Sequence, residues 1–145
     1  MSLKSWVDHG WLIPYKTGRK EISDLMRIAE RDLKDSKVDK LSNDWRFTIS
    51  YNAALQLATA SLAAAGYRAT RVAHHYRIIQ SLKFTLGLDD ETILLFDTFR
   101  KKRNISDYER PGAISDIEVE EIHKLAEDIF QMITEWLKKN HPEFI

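Results

Sequence analysis

The stretch from residue 41 to residue 66, LSNDWRFTISYNAALQLATASLAAAG, constrains the fold of this chain most strongly. Its apolar residues are distributed around every side of a helix, which is typical of a helix buried at the centre of a protein. Ser42 or Asn43 is a suitable N-cap, and Gly66 is a suitable residue to follow the last turn. The alanine-rich second half allows a neighbouring helix, or a second subunit, to approach closely. We therefore expect a central buried helix around which the other elements pack.

Two further helices are predicted from the spacing of apolar residues. The segment 19–37 has a single apolar face, formed by Ile22, Leu25, Met26, Ala29 and Leu33. The segment 70–86 is predicted to form another helix, with its apolar face formed by Val72, Tyr76, Ile79 and Leu86. Both patterns are amphipathic, so each helix is expected to bury one side against the central helix.

The last two helices are predicted from their end signals. One begins at Asp89 or Asp90, with acidic residues in its first turn, and ends near Arg103 among cations, as the helix dipole favours. The other begins at a capping box, with Ser115 at the N-cap and Glu118 three residues later.

Short loops connect these helices, and neither a strand pattern nor an internal repeat is present. The sequence thus predicts an all-α, up-and-down helical bundle of about five helices. We expect an aromatic N-terminal segment, 1–18, packed on a bundle formed by 19–140, followed by a short tail, 141–145. A chain of 145 residues suits one domain that buries roughly two-thirds of its unfolded surface.

The charge balance disfavours broad binding of duplex DNA but allows a local basic patch, and the cysteine content excludes further classes of site. The 22 basic residues equal the 22 acidic ones, whereas a protein that grips many phosphates of duplex DNA usually has a clear positive excess. The chain has no cysteine, which excludes disulfides and thiolate metal sites. It has no signal-peptide pattern and no apolar run of membrane-spanning length. We expect a cytoplasmic protein that does not enter a membrane.

The segment FRKKRNISDYE, residues 99–109, contains the candidate functional residues. On a helix, Arg103 lies within about 20° of Phe96 and therefore faces the apolar side. A guanidinium in that position needs a partner or a ligand, because an unpaired buried charge is costly. One reading pairs Arg103 with Asp107, one turn later. In the other, the guanidinium of Arg103 binds a phosphate or carboxylate through two hydrogen bonds, with Asn104 as a hydrogen-bonding neighbour.

The histidines do not form a recognisable metal motif. His74 and His75 are adjacent, so on a helix they point about 100° apart and cannot chelate one ion together. His75 flanks the apolar face, whereas His74 faces outward. No metal site and no cofactor are expected.

Four segments, in this order, resemble the HEPN domains of bacteria and archaea: RIAERDLKDS, DWRFTISYNAALQLATASLAAAGYR, HHYRIIQSL and FRKKRNISDYE. The resemblance covers most of residues 20–138. In that family the signature is an arginine, a polar residue, a short spacer and a histidine, placed in a composite cleft of a dimer. Active members use it for metal-independent RNA cleavage, in which the arginine holds the phosphate and the histidine transfers protons.

Arg103 and Asn104 match the first half of this signature, but Tyr108 stands where the family has histidine. With an ordinary pKa near 10, against about 6.5 for histidine, tyrosine is a poor base at neutral pH. Tyr108 could instead donate a hydrogen bond or stack on a base, and His74 or His75 could replace the missing histidine. Some members pair with a nucleotidyltransferase that modifies a nearby tyrosine, but their extra His-x-Tyr element is absent here.

The resemblance implies an RNA- or nucleotide-binding, partner-dependent module with weak or no nuclease activity, acting as a homodimer. One alternative is a metal-independent ribonuclease, such as the toxin of a toxin–antitoxin pair, so that the partner would be an antitoxin or a nucleotidyltransferase. Another is a purely structural interaction protein. The candidate catalytic residues are Arg103, Asn104 and Tyr108, and the candidate ligand-binding residues are Arg100, Arg103, Asn104, Asp107, Tyr108 and His75.

Overall fold

A computed structural model describes residues 1–108 and 112–145, with the side chains of 105–108 outside that description. Within these residues the chain forms six α-helices, two short strands and one terminal 3-10 helix. In chain order they are α1 (Leu3–Asp8), β1 (Leu12–Pro14), α2 (Arg19–Asp35), α3 (Asn43–Ala64), β2 (Tyr67–Ala69), α4 (His74–Ser81), α5 (Asp90–Tyr108), α6 (Asp116–Asn140) and the 3-10 helix (Pro142–Phe144). The prediction of an all-α bundle is confirmed.

Helix α3 forms the centre of the bundle, as its apolar residues predict. Ser42 accepts a hydrogen bond from the backbone N–H of Trp45 and caps the helix, and Gly66 follows its end with a φ of +102°. Phe47, Tyr51 and Leu57 on this helix are fully buried. Helices α2 and α6 pack most extensively against α3, and α4 and α5 cover another part of its surface.

A small antiparallel sheet was not predicted. Strand β1 pairs with β2 so that Leu12 lies opposite Ala69 and Pro14 opposite Tyr67. Strands of three residues are too short to show an alternating pattern, and a proline at the end of β1 argues against a strand in the sequence. The sheet joins the N-terminal segment to the chain just before α4.

The helix predicted over 70–86 is shorter than expected. Helix α4 begins only at His74, because Ala73 adopts a left-handed backbone conformation with a φ of +53° and interrupts the helix. Val72, which the spacing placed on the apolar face, is instead 82% exposed. Ile79 is buried as predicted.

Helices α5 and α6 begin as predicted. Asp89 accepts a hydrogen bond from the backbone N–H of Thr92 at 2.8 Å. Ser115 and Glu118 form the reciprocal capping box of α6. Helix α5, however, continues to Tyr108 rather than ending near Arg103. None of the helices among residues 1–108 and 112–145 is long and apolar enough to cross a membrane.

Candidate functional site

A cleft of about 480 Å³ lies where the start of α4 faces the second half of α5. It is lined by Ala73, His74, His75, Tyr76, Arg77, Arg100 and Asn104. Two arginines, two histidines and an asparagine thus meet in one cavity, and no carboxylate is among these described lining residues. In a chain of zero net charge, this is a local concentration of positive and neutral hydrogen-bonding groups.

The α5 wall of the cleft is arranged by Asp97. This buried carboxylate accepts from Nε of Arg100 at 2.7 Å and lies 3.7 Å from Nζ of Lys101. Both cations sit three or four residues later on the same helix, which places them within reach of Asp97. Asp97 therefore fixes the direction of the Arg100 side chain. Asn104, one turn further, is exposed and lines the cleft.

Arg103 lies behind the cleft rather than on its lining. Its guanidinium carbon is 5.0 Å from the ring centroid of Tyr51, a buried residue of α3. Burial raises the pKa of Tyr51 to about 12, although the nearby charge of Arg103 acts in the opposite direction. The inward direction predicted for Arg103 therefore agrees with the structure, in which its guanidinium contacts an aromatic ring of the central helix.

His75 connects this buried group to the cleft. Its Nδ1 lies 3.4 Å from the hydroxyl oxygen of Tyr51. Because the Tyr51 hydroxyl keeps its proton at neutral pH, it can donate to Nδ1, which leaves the proton of the neutral imidazole on Nε2. Burial lowers the pKa of His75, and the positive charge of Arg103 lowers it further. His75 is consequently favoured in its neutral form.

Arg77 is a charged lining residue that the sequence did not identify as a site residue. Its guanidinium carbon lies 3.6 Å from the ring centroid of Trp11 and 5.3 Å from that of Tyr76. No carboxylate among the described residues forms an ion pair with it. No local spacing reveals the contact, because Trp11 comes from the N-terminal segment and reaches α4 only through the unpredicted sheet.

The structure brings some of the proposed site residues together. Arg100, Asn104 and His75 line one cleft, and Arg103 adjoins it through Tyr51. The side chains of Asp107 and Tyr108 lie outside the described residues, so their roles and the Arg103–Asp107 pair stay predictions.

His74 faces outward at the mouth of the cleft, with Nδ1 3.0 Å from the carbonyl oxygen of Thr70. In the described part of the chain, no group of three or more histidine, aspartate or glutamate side chains is arranged to hold a metal ion.

Comparison with protein families gives one match. The family model described as the HEPN domain matches residues 22–137, which include most of the chain and both walls of the cleft. The N-terminal segment that contains Trp11 precedes the matched region. A search of curated proteins finds no significant match.

Proposed function

Because this chain belongs to the HEPN family, whose members are generally associated with RNA or nucleotides, we propose that its cleft binds RNA phosphates. The chain would act as a partner-dependent module with weak or no nuclease activity. The observation that supports this proposal most strongly is a cleft with two arginines and no carboxylate on its described lining. Phosphate oxygens are the acceptors that such a set of donors fits best.

Each residue has a distinct part in this proposal. Arg100, directed by Asp97, presents a guanidinium to the phosphate, and Asn104 offers its amide without adding negative charge. His75 donates from Nε2 when its Nδ1 accepts from Tyr51. Arg103 adds positive potential from behind the ring of Tyr51.

The hydrogen bond between the Tyr51 hydroxyl and Nδ1 of His75 also supports the proposal of weak nuclease activity. A histidine whose Nε2 carries the proton can donate to a phosphate, but it cannot accept a proton at that atom. In addition, this chain has Tyr108 at the position where the family signature has histidine. We therefore propose that binding exceeds cleavage.

The change Asn104→Asp tests the proposal with little structural disturbance, because Asn104 is exposed. It places a negative charge where the phosphate would bind and is expected to weaken binding of a short single-stranded RNA by about fivefold, the effect of one like charge at close range in water. Fluorescence anisotropy of a labelled RNA measures the change.

Gln131→Glu is the matched control, because it also converts an exposed amide to an acid, but on α6. It is expected to leave RNA affinity nearly unchanged. Equal weakening by both variants, or no binding by the unmodified protein, would contradict the proposal.

The second candidate function is a metal-independent ribonuclease, as in the toxin of a toxin–antitoxin pair. It is supported by the lowered pKa of His75, which keeps a neutral imidazole beside the cleft and near Arg103. If the proton moved to Nδ1, Nε2 could act as a base. Incubation of the protein with mixed-sequence RNA in excess EDTA, followed by a denaturing gel, tests this function. If the unmodified protein cleaves RNA and both His75→Gln and Arg103→Ala abolish the cleavage, the ribonuclease becomes the favoured function.

Dimerisation is proposed from exposed apolar side chains. Trp45 near the start of α3 is 62% exposed, and Leu94 near the start of α5 is 65% exposed. The resemblance to the family implies a dimer, and its interface would need a contiguous apolar patch, for which these two side chains are the candidates that we propose. We propose a cytoplasmic homodimer, with a nucleotidyltransferase or antitoxin as a further partner. Sedimentation analysis of the protein beside Leu94→Lys tests the dimer, and a monomer at all concentrations would contradict it.

A further inference from the structure

We propose that Arg77 is a second phosphate-binding residue of the cleft, held in position by Trp11, and that the ligand is single-stranded RNA presenting two successive phosphates. This inference rests on the proposed function of the cleft. It adds Arg77 to the residues that bind phosphate and Trp11, which lies outside the HEPN-matched region, as the residue that positions it. It also specifies single-stranded RNA as the phosphate ligand.

The first argument is the difference in charge balance between the two arginines of the cleft. Arg100 is ion-paired with the buried carboxylate of Asp97 at 2.7 Å, so much of its charge is already compensated. Arg77 has no such ion pair in the described chain and is contacted by aromatic rings instead. An uncompensated guanidinium attracts an anion more strongly, so Arg77 is expected to contribute at least as much to phosphate binding as Arg100.

The second argument is the way in which Trp11 holds Arg77. The guanidinium carbon lies over the indole, 3.6 Å from its centroid. Nε of Arg77 is buried without a hydrogen-bond partner among the described residues, so the donors that we assign to a phosphate are those of the two Nη groups. These donors lie along the edge of a guanidinium, which an aromatic ring does not occupy. A carboxylate partner would occupy those donors, whereas an aromatic ring does not.

Trp11 is itself fixed from two sides. Its backbone N–H donates to the carbonyl oxygen of Trp6, and its carbonyl oxygen accepts from the backbone N–H of Thr70 at 3.0 Å. Its ring packs edge to face against the buried ring of Trp6. Since Thr70 lies just before α4, the N-terminal segment is anchored to the element that carries Arg77.

The third argument is the separation of the two guanidinium groups. Arg77 lies 5.3 Å and Arg100 5.7 Å from the ring centroid of Tyr76, so no more than about 11 Å can separate them. They come from different walls of the cleft, with the Tyr76 ring near both. Aromatic rings beside backbone-binding cations are the usual arrangement for single-stranded nucleic acid. A strand with successive phosphates therefore fits this arrangement better than a ligand with one phosphate.

The test measures the affinity of a short labelled single-stranded RNA at several salt concentrations, with folding checked by thermal melting. Arg77→Gln is expected to raise Kd by about tenfold or more, the loss of one charge-assisted contact. It should also reduce the slope of log affinity against log salt by about 0.7, the value for one phosphate contact to a single strand. Arg31→Gln, on the exposed side of α2, is the matched control and should change neither quantity much.

The role of Trp11 is tested through its coupling to Arg77. Trp11→Leu leaves the charge of Arg77 in place but removes the surface that holds it, so it should raise Kd and reduce the salt slope. The double variant should bind no more weakly than Arg77→Gln alone, because Trp11 acts through Arg77. Additive losses would overturn the positioning role, since a general loss of structure does not depend on Arg77.

The outcomes separate this inference from the proposed function. If Asn104→Asp weakens binding while folded Arg77→Gln binds as the unmodified protein does, the cleft binds RNA but this inference is wrong. If Arg77→Gln does not fold, Arg77→Met, which keeps an unbranched stem beside Trp11 but has no charge, replaces it, and unchanged affinity in that variant would equally overturn the inference. If adenosine triphosphate displaces the labelled RNA more effectively than unlabelled RNA does, the ligand is a polyphosphate and not an RNA strand.

Discussion

The hydroxyl group of Tyr51 lies 3.4 Å from Nδ1 of His75, and the same tyrosine ring lies 5.0 Å from the guanidinium carbon of Arg103. A residue of the central helix thus connects Arg103 on α5 with a histidine of the cleft on α4. Because burial raises the pKa of Tyr51 to about 12, the hydroxyl keeps its proton and can donate it to His75. Burial and the positive charge of Arg103 both lower the pKa of His75 and so favour its neutral form.

The first prediction concerns stability as pH falls below about 6.5, the ordinary pKa of histidine. The pKa of His75 lies below its ordinary 6.5 in the folded protein, chiefly because of burial. As pH falls, the unfolded chain binds this proton first, so the stabilisation by neutral His75 is present above 6.5 and is lost as pH falls through the folded-state pKa. Thermal melting should show this loss, and His75→Gln should lack that component. An identical pH profile in His75→Gln would contradict the assignment.

The second prediction concerns Asp97→Asn, which should affect stability and RNA affinity in opposite directions. Loss of the buried charge weakens the contact to Arg100 and should lower the free energy of unfolding by about 1 to 2 kcal/mol. It also leaves the cleft more positive, so RNA affinity should rise by about fivefold. Urea denaturation and fluorescence anisotropy measure the two effects.

Asp24→Asn is the control for that change, because Asp24 pairs with Lys20 and Arg27 on the exposed surface of α2. Exposed pairs contribute little to stability, so both quantities should change only slightly. A fall in RNA affinity on Asp97→Asn would mean that the direction of Arg100 matters more than its net charge.

The third prediction tests the packing of the bundle with one substitution at two positions of α6. Ile129 is buried against the core, and Ile129→Ala should lower the free energy of unfolding by about 2 to 5 kcal/mol. Ile117 is 67% exposed, and Ile117→Ala should change it by less than about 0.5 kcal/mol. Urea denaturation of both variants checks the difference. Similar losses at the two positions would contradict the placement of the α6 apolar face.

The helices were predictable because their signals are local. In α3, the apolar residues lie on every side of the helix, a pattern visible within a few turns of sequence. The end signals at Ser42, Asp89 and Ser115 are equally local, and the structure confirms them. The sheet and the late start of α4 were not predictable. Three-residue strands carry no pattern, and the left-handed conformation of Ala73 is imposed by surrounding structure, because alanine has no preference for it.

The candidate site was only partly predictable for the same reason. Helical spacing on α5 was enough to direct Arg103 inward and to place Arg100 and Asn104 nearby. The contacts of His75 with Tyr51 and of Arg77 with Trp11 join residues that are distant in the chain. Such contacts depend on how elements pack, so sequence spacing could not reveal Arg77 as a lining residue.

The most direct test of the central claim is RNA binding by Arg103→Ala, measured by anisotropy at several salt concentrations with melting of the same samples. If the cleft binds RNA phosphates, the unmodified protein binds with strong salt dependence. Arg103→Ala then binds severalfold more weakly with a shallower salt slope, and Arg27→Ala on α2 does not. The absence of salt-dependent RNA binding by the unmodified protein would contradict the claim, whereas unchanged RNA affinity in Arg103→Ala together with a lower melting temperature would identify Arg103 as a structural residue.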